Sequence, residues 1–143
     1  MFSNFSNTTS IYGLENLNTA SCNNFENMFY GCTSLETIKW DLSKCTSFST
    51  SIFYNCNNLQ MDPTATLKAA TISSSTYANC TSLKSVTINN NITKIDSSAF
   101  VRCSALETVA FGDAGSDCTI AAYAFKDCTK LNTINLPSRV KSL

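Results

Sequence analysis

Apolar side chains return along this chain at a fixed set of intervals that no long amphipathic helix would produce. Five segments share the order aromatic-x-x-Cys-x-x-Leu: Phe29, Cys32, Leu35; Phe53, Cys56, Leu59; Tyr77, Cys80, Leu83; Phe100, Cys103, Leu106; and Phe125, Cys128, Leu131. Successive cysteines lie 24, 24, 23 and 25 residues apart. After the Leu the pattern continues as Leu-x-x-Ile/Val-x-apolar in Leu35-Ile38-Trp40, Leu83-Val86-Ile88, Leu106-Val109-Phe111 and Leu131-Ile134-Leu136. That alternation has period two, which predicts a short strand with every second side chain inward. Another apolar residue precedes each later aromatic by five positions, at Phe48, Ile72, Ile95 and Ile120, and predicts a second short extended segment. Ser98 through Cys103 reads as one helical turn, with the aromatic and the Cys three apart on one face.

A unit of about 24 residues offers only a handful of apolar side chains and cannot bury them alone. Stacked on its neighbours, it forms continuous ladders of aromatic, Cys and Leu residues. Residues 1–143 are expected to form one solenoid domain of about five to six coils. Leu59-Gln60-Met61-Asp62-Pro63 breaks the alternation, and Pro63 has no N–H for a ladder, so a distorted or missing strand is expected there. Met1-Phe2-Ser3-Asn4-Phe5 matches Met28-Phe29-Tyr30-Gly31-Cys32, with Phe5 in the Cys position, and Ile11 to Leu17 supplies a variant strand region. Both ends fall in mid-repeat without a polar capping unit. The expectation is a piece of a longer array or ends covered by a partner, which leaves end-to-end self-association open.

Composition removes several functions. Ten basic and ten acidic residues cancel and neither sign clusters, so the basic stripe of a nucleic-acid binder is missing. No apolar run approaches the roughly 20 residues of a membrane span, and the first residues show no signal peptide. With no His, the commonest general base and metal ligand is lacking. Neither a Gly-x-Ser-x-Gly elbow nor a Ser-x-x-Lys signature accompanies the many Ser and Thr residues, so the chain reads as no enzyme, with no cofactor.

The eight cysteines invite disulfide or metal readings. Cys32, Cys56, Cys80, Cys103 and Cys128 hold identical places in consecutive coils and point the same way, which lacks the crossed geometry of a bridge. They also lack the paired Cys-x(2–4)-Cys spacing of zinc ligands. A buried thiol packed beside Phe and Leu is the expected reading. Cys22, Cys45 and Cys118 stand outside this ladder as inward positions of a bend or exposed thiols, and a Cys22–Cys45 bridge stays open beside simple burial. Asp113 and Asp117 are four apart but lack the other oxygen ligands of a calcium loop, so a polar turn is expected. Asn-x-Ser/Thr sequons at Asn4, Asn7, Asn79 and Asn91 matter only in a eukaryotic secretory pathway.

The unit running from Ile95 to Phe111, Ile-Asp-Ser-Ser-Ala-Phe-Val-Arg-Cys-Ser-Ala-Leu-Glu-Thr-Val-Ala-Phe, resembles the BspA-like (Treponema pallidum type) leucine-rich repeat, as does Asn132-Thr133-Ile134-Asn135-Leu136-Pro137. Asn27 through Leu35 resembles a related bacterial surface-protein repeat with a Met-Phe pair before the Cys. The resemblance covers nearly the whole chain. It implies a right-handed solenoid from a secreted or cell-surface protein, with adhesin-like members that hold matrix proteins or other microbes.

The outward row of the strand face is then the candidate binding surface: Thr37, Lys39 and Asp41, expected to align with Ser85, Thr87 and Asn89, then Thr108, and then Thr133 and Asn135. The expected partner is a protein or glycan, with no nucleic acid and no membrane insertion. Exposed Thr also suits a strand for its own sake, so a spacer that holds another domain off a surface is the alternative role.

Overall fold

The computed structural model describes residues 1–22, 24–61 and 66–142. The expected break at Pro63 lies outside them. Short strands follow one another as β1 (Ser10–Ile11), β2 (Thr37–Ile38), β3 (Thr71–Ile72), β4 (Ser85–Ile88), β5 (Lys94–Ile95), β6 (Thr108–Phe111), β7 (Cys118–Ile120) and β8 (Val140–Ser142). Every pairing among them is parallel. A parallel neighbour about 24 residues away requires the chain to circle once per strand, so the molecule is a β-solenoid of about six turns.

Two strand ladders run along it. The first carries the Ile/Val-x-apolar segments, as β1 on β2 and, further along, β4 on β6. The second carries the apolar positions that precede the aromatics in β3, β5 and β7, and β8 continues it, in the order β3-β5-β7-β8. In β4 the exposures alternate, with Val86 and Ile88 buried and Ser85 and Thr87 exposed. The period-two expectation holds there and in β6.

The segment expected to form a helical turn does something else. Ser98 and Arg102 have φ of 57° and 59°, and the same left-handed values occur at Ser51, Asn55, Ser75 and Asn79. Gly31, at φ 69°, takes the corresponding place in its own coil. The left-handed region is costly for most L-residues and least so for Gly and Asn. The reason for it is visible in the hydrogen bonds. Ser98, Phe100 and Arg102 donate their N–H groups to the carbonyls of Ala122, Ala124 and Lys126 in the next coil, at 3.3, 2.8 and 2.8 Å. Val101 and Cys103 instead close local turns onto Ser98 and Phe100. An α-helix would direct all these donors along its own axis. Left-handed residues four apart, Ser98 and Arg102, break the helical run, and every second N–H from Ser98 to Arg102 goes to the neighbouring coil, giving a third ladder.

Aromatic and thiol columns fill the interior behind that ladder. The rings of Phe2, Phe29, Phe53, Tyr77, Phe100 and Phe125 form one stack, with successive centroids 5.6, 5.3, 5.3, 5.1 and 5.2 Å apart. Interplanar angles do not exceed 14°. Phe2 therefore makes residues 1–5 a coil of the same series, joined by bonds from Phe2 N–H to the Met28 carbonyl and from Asn4 N–H to that of Tyr30. Trp40 meets Phe25, Phe29 and Phe53 edge-on, and its buried indole N–H has no partner among the described residues. The expected ladder residues are buried except Phe125 and Leu131, half-exposed in the last coil.

Candidate functional site: the outward strand face

The outward positions fall into separate groups. Ser85 pairs with Thr108 and Thr87 with Ala110, and all four point to solvent. Val86, Ile88 and Val109 fix this orientation from the other side, each at most 5% exposed. Thr37, Lys39 and Asp41 are exposed as well. They extend from a different two-stranded ladder, where the Thr37 hydroxyl lies 3.4 Å from that of Ser10. The expected continuous row from Thr37 to Thr133 is thus interrupted, because the intervening coil passes through Gln60 and Met61 without a described strand.

Three expected members behave differently from the rest. Asn89 is half-buried, since β4 ends at Ile88 and the chain turns. Its side-chain amide donates to the Leu67 carbonyl at 3.0 Å and accepts from the Asn91 N–H at 2.8 Å. Thr133 and Asn135 are exposed, but residues 131–137 form no strand. Pro137 removes one N–H there, and Arg139 draws the following residues elsewhere. The outcome is a cleft of about 360 Å³ between β6 and the last coil, lined by Thr108–Phe111, Asp113 and Asn135–Pro137. Asp41, although exposed, caps its own turn. The Ser43 hydroxyl and N–H hold its carboxyl below the ordinary 3.8.

Arg139 is a feature that residue patterning missed. It is 4% exposed. Its guanidinium donates to the carbonyls of Gly112 (2.7 Å), Ile92 (2.8 Å), Asn89 (3.1 Å) and Ser116 (3.2 Å). The Asp113–Asp117 region is accordingly the expected polar turn, laid against the bend at Asn89–Ile92. Gly115 has φ 102°, and a Cβ there would come within 2.3 Å of the Asn90 carbonyl oxygen, so only glycine fits. A buried Arg near the end of the chain carries no periodic signature that would have flagged it.

All eight cysteines are free thiols, and Cys22 alone is exposed among them. Each ladder thiol donates to the carbonyl of the aromatic one coil earlier: Cys32 to Phe2, Cys56 to Phe29, Cys80 to Phe53, Cys103 to Tyr77 and Cys128 to Phe100, at 3.0–3.2 Å. Burial raises the Cys80 thiol well above its ordinary 9.0, and the neighbouring thiols of Cys103 and Cys56 add to the rise. Such thiols are poor nucleophiles and poor ligands. Among the described residues no three His, Cys, Asp or Glu side chains gather as a metal site requires.

The recurring coil, with its aromatic stack and thiol column, has a counterpart among known repeats. Six copies of the BspA type leucine rich repeat region match residues 1–60 and 62–143. The chain belongs to the BspA-type leucine-rich-repeat family. No curated protein and no solved structure matches it. BspA-type repeats usually occur in surface or secreted proteins and typically act as binding or structural modules. Among the described residues no helix is long and apolar enough to cross a membrane.

Proposed function

We propose that this BspA-type solenoid is a non-enzymatic binding module of a surface or secreted protein, displaying its Thr/Ser/Asn-rich strand face to a protein or glycan. The observation that carries the reading is the pairing of Ser85 with Thr108 and of Thr87 with Ala110. This exposed row is fixed from behind by Val86, Ile88 and Val109. A surface held by parallel ladders loses little conformational entropy when a partner docks. Hydroxyl groups with few charges suit short hydrogen bonds to sugar hydroxyls or to a polar protein surface.

The test replaces Thr87, Thr108 and Thr133 with Glu in one variant and measures binding to a panel of glycans and extracellular-matrix proteins. Loss of a specific interaction of the parent, with circular dichroism and melting unchanged, supports the reading. A parent that binds no member of the panel, or a variant that binds as well as the parent, overturns it.

A further inference from the structure

In the first ladder β6 has β4 as its neighbour, and among the described residues no strand pairs with its other edge. Gly112 donates to the Ile88 carbonyl at 2.8 Å and Thr108 to that of Lys84 at 3.3 Å. Alternation along a parallel ladder places Ala110 with them, facing β4. Val109 and Phe111 then aim their N–H and C=O groups the opposite way, into the 360 Å³ cleft. In a regular coil the segment around Ile134 would fill this place, but it forms no strand. The Val109 side chain is buried and that of Phe111 half-buried against the core. The cleft therefore exposes mostly main chain at this edge, with Thr108 and Asn135 at its rim and Asp113 as its charged lining residue.

We infer that this cleft binds an extended peptide segment, which adds to β6 as a parallel strand and carries a basic residue near its C-terminal end. Two donors and two acceptors at strand spacing are the recognition elements of β-strand addition. They span roughly 10 Å, or about three extended residues. A parallel segment runs from the Thr108 end toward Asp113, so its last residue meets that carboxylate and a Lys or Arg complements it. The inference rests on the binding-module reading and gives it a partner class and a place.

Acetyl-Ser-Val-Thr-Ile-Lys-amide, which copies Ser85–Ile88 and ends in a lysine, serves as the probe. In the parent chain the Val109 and Phe111 amides should exchange rapidly with deuterium. At saturating peptide they should slow at least tenfold, while Ala110, already paired with β4, stays unchanged. N-methylation of the peptide's Ser and Thr amides, which would face β6, should abolish the effect. N-methylation of its Val and Ile amides should not. Asp113→Asn should weaken binding severalfold without altering the free chain's exchange. Slow exchange of Val109 and Phe111 in the free chain, no protection at millimolar peptide, or equal protection by both methylated peptides would each overturn the inference. None of these results touches face binding, which Thr87→Glu alone, outside the cleft lining, reads separately.

Discussion

The thiol of Cys80 donates a 3.2 Å hydrogen bond to the Phe53 carbonyl one coil earlier, a carbonyl that also accepts the Cys56 N–H at 3.1 Å. The thiol thus fills an inward slot and satisfies the second lone pair of a buried acceptor. Alanine at this position leaves a small cavity and loses the contact. The expected cost of Cys80→Ala is about 1–2 kcal/mol. Cys128→Ala should cost no more than about half as much, because that thiol sits in the last coil, where Phe125 and Leu131 are only half-buried. Urea unfolding of the two variants measures the difference. Equal costs would mean that position within the stack is irrelevant.

Alkaline pH should weaken the fold through the same column. Burial pushes the Cys128 thiol up to about 11, with the Asp127 charge adding to the rise and the bond to Cys103 opposing it. Cys56, Cys80 and Cys103 lie higher still, again chiefly from burial. In the unfolded chain these thiols ionise near 9, so above that pH the unfolded state sheds protons that the folded state retains. Their contribution is complete below about pH 8.5 and falls as pH climbs toward and through the folded values. The urea midpoint should therefore drop steadily from pH 8.5 to 11, and less steeply in a Cys56→Ala, Cys103→Ala double variant. In the folded chain at pH 8, an alkylating reagent should reach exposed Cys22 first. The buried ladder thiols should react only on unfolding.

The repeat could be read from the sequence because its ladders are one residue type deep. Phe53, Tyr77 and Phe100 stack because each occupies the same slot in an equivalent coil, and a fixed interval is all that a reader needs to see this. The inward alternation of Val86 and Ile88 is legible for the same reason. The conformation of Ser98–Cys103 was not. A three-residue aromatic-to-Cys spacing fits a helical turn as well as it fits a run interrupted by left-handed residues at Ser98 and Arg102. What decides between them is where the backbone N–H groups find acceptors, and those acceptors lie about 24 residues away. Asn89 and Thr133 failed as members of an aligned row for related reasons. The first sits at a bend stabilised by its own amide. The second lies in the stretch leading up to Pro137 and Arg139, which forms no strand.

Left-handed backbone at non-glycine residues carries a strain that glycine can relieve. Ser98, half-buried with φ 57°, directs its N–H to Ala122 and has no side-chain hydrogen bond among the described residues. Ser98→Gly removes the Cβ penalty, roughly 1–2 kcal/mol, but frees the unfolded chain by about 1 kcal/mol. The net expectation is unchanged or slightly raised stability. Ser98→Val should be destabilising by more than 1 kcal/mol, since a β-branched residue tolerates this conformation worst. Thermal melts of the pair test the assignment. A Val variant as stable as the Gly variant would argue that this turn is helical after all.

Ring stacking makes a graded prediction along the axis. Phe53 lies between Phe29 and Tyr77 and also meets Trp40 edge-on, whereas among the described residues Phe125 has a ring on one side only. Phe53→Ala should cost about 3–5 kcal/mol, a value typical of fully buried aromatics, and Phe125→Ala markedly less. The Trp40 fluorescence should report the first change in the native state and not the second, because Phe53 touches the indole and Phe125 lies three rings beyond it in the stack.

Arg139 supplies the sharpest test of how the last coils are held. Its guanidinium lies among four carbonyls with no carboxylate bonded to it among the described residues, and it links the bend at Asn89–Ile92 to the turn at Gly112–Ser116. A planar fork with five donors can serve all four acceptors, whereas an ammonium on a flexible stem serves fewer. Arg139→Ala removes the donors and leaves the carbonyls to find water. The loss should be about 2–4 kcal/mol, the scale of breaking a buried charged hydrogen-bond network. Arg139→Lys should recover only part of it. Hydrogen exchange should locate the damage, with faster exchange at the Cys118 and Val140 amides, which donate to the Arg139 and Pro137 carbonyls, while the Phe29 and Phe53 amides keep their protection. Uniform acceleration along the whole chain would show that Arg139 supports the entire solenoid and not its final turns alone.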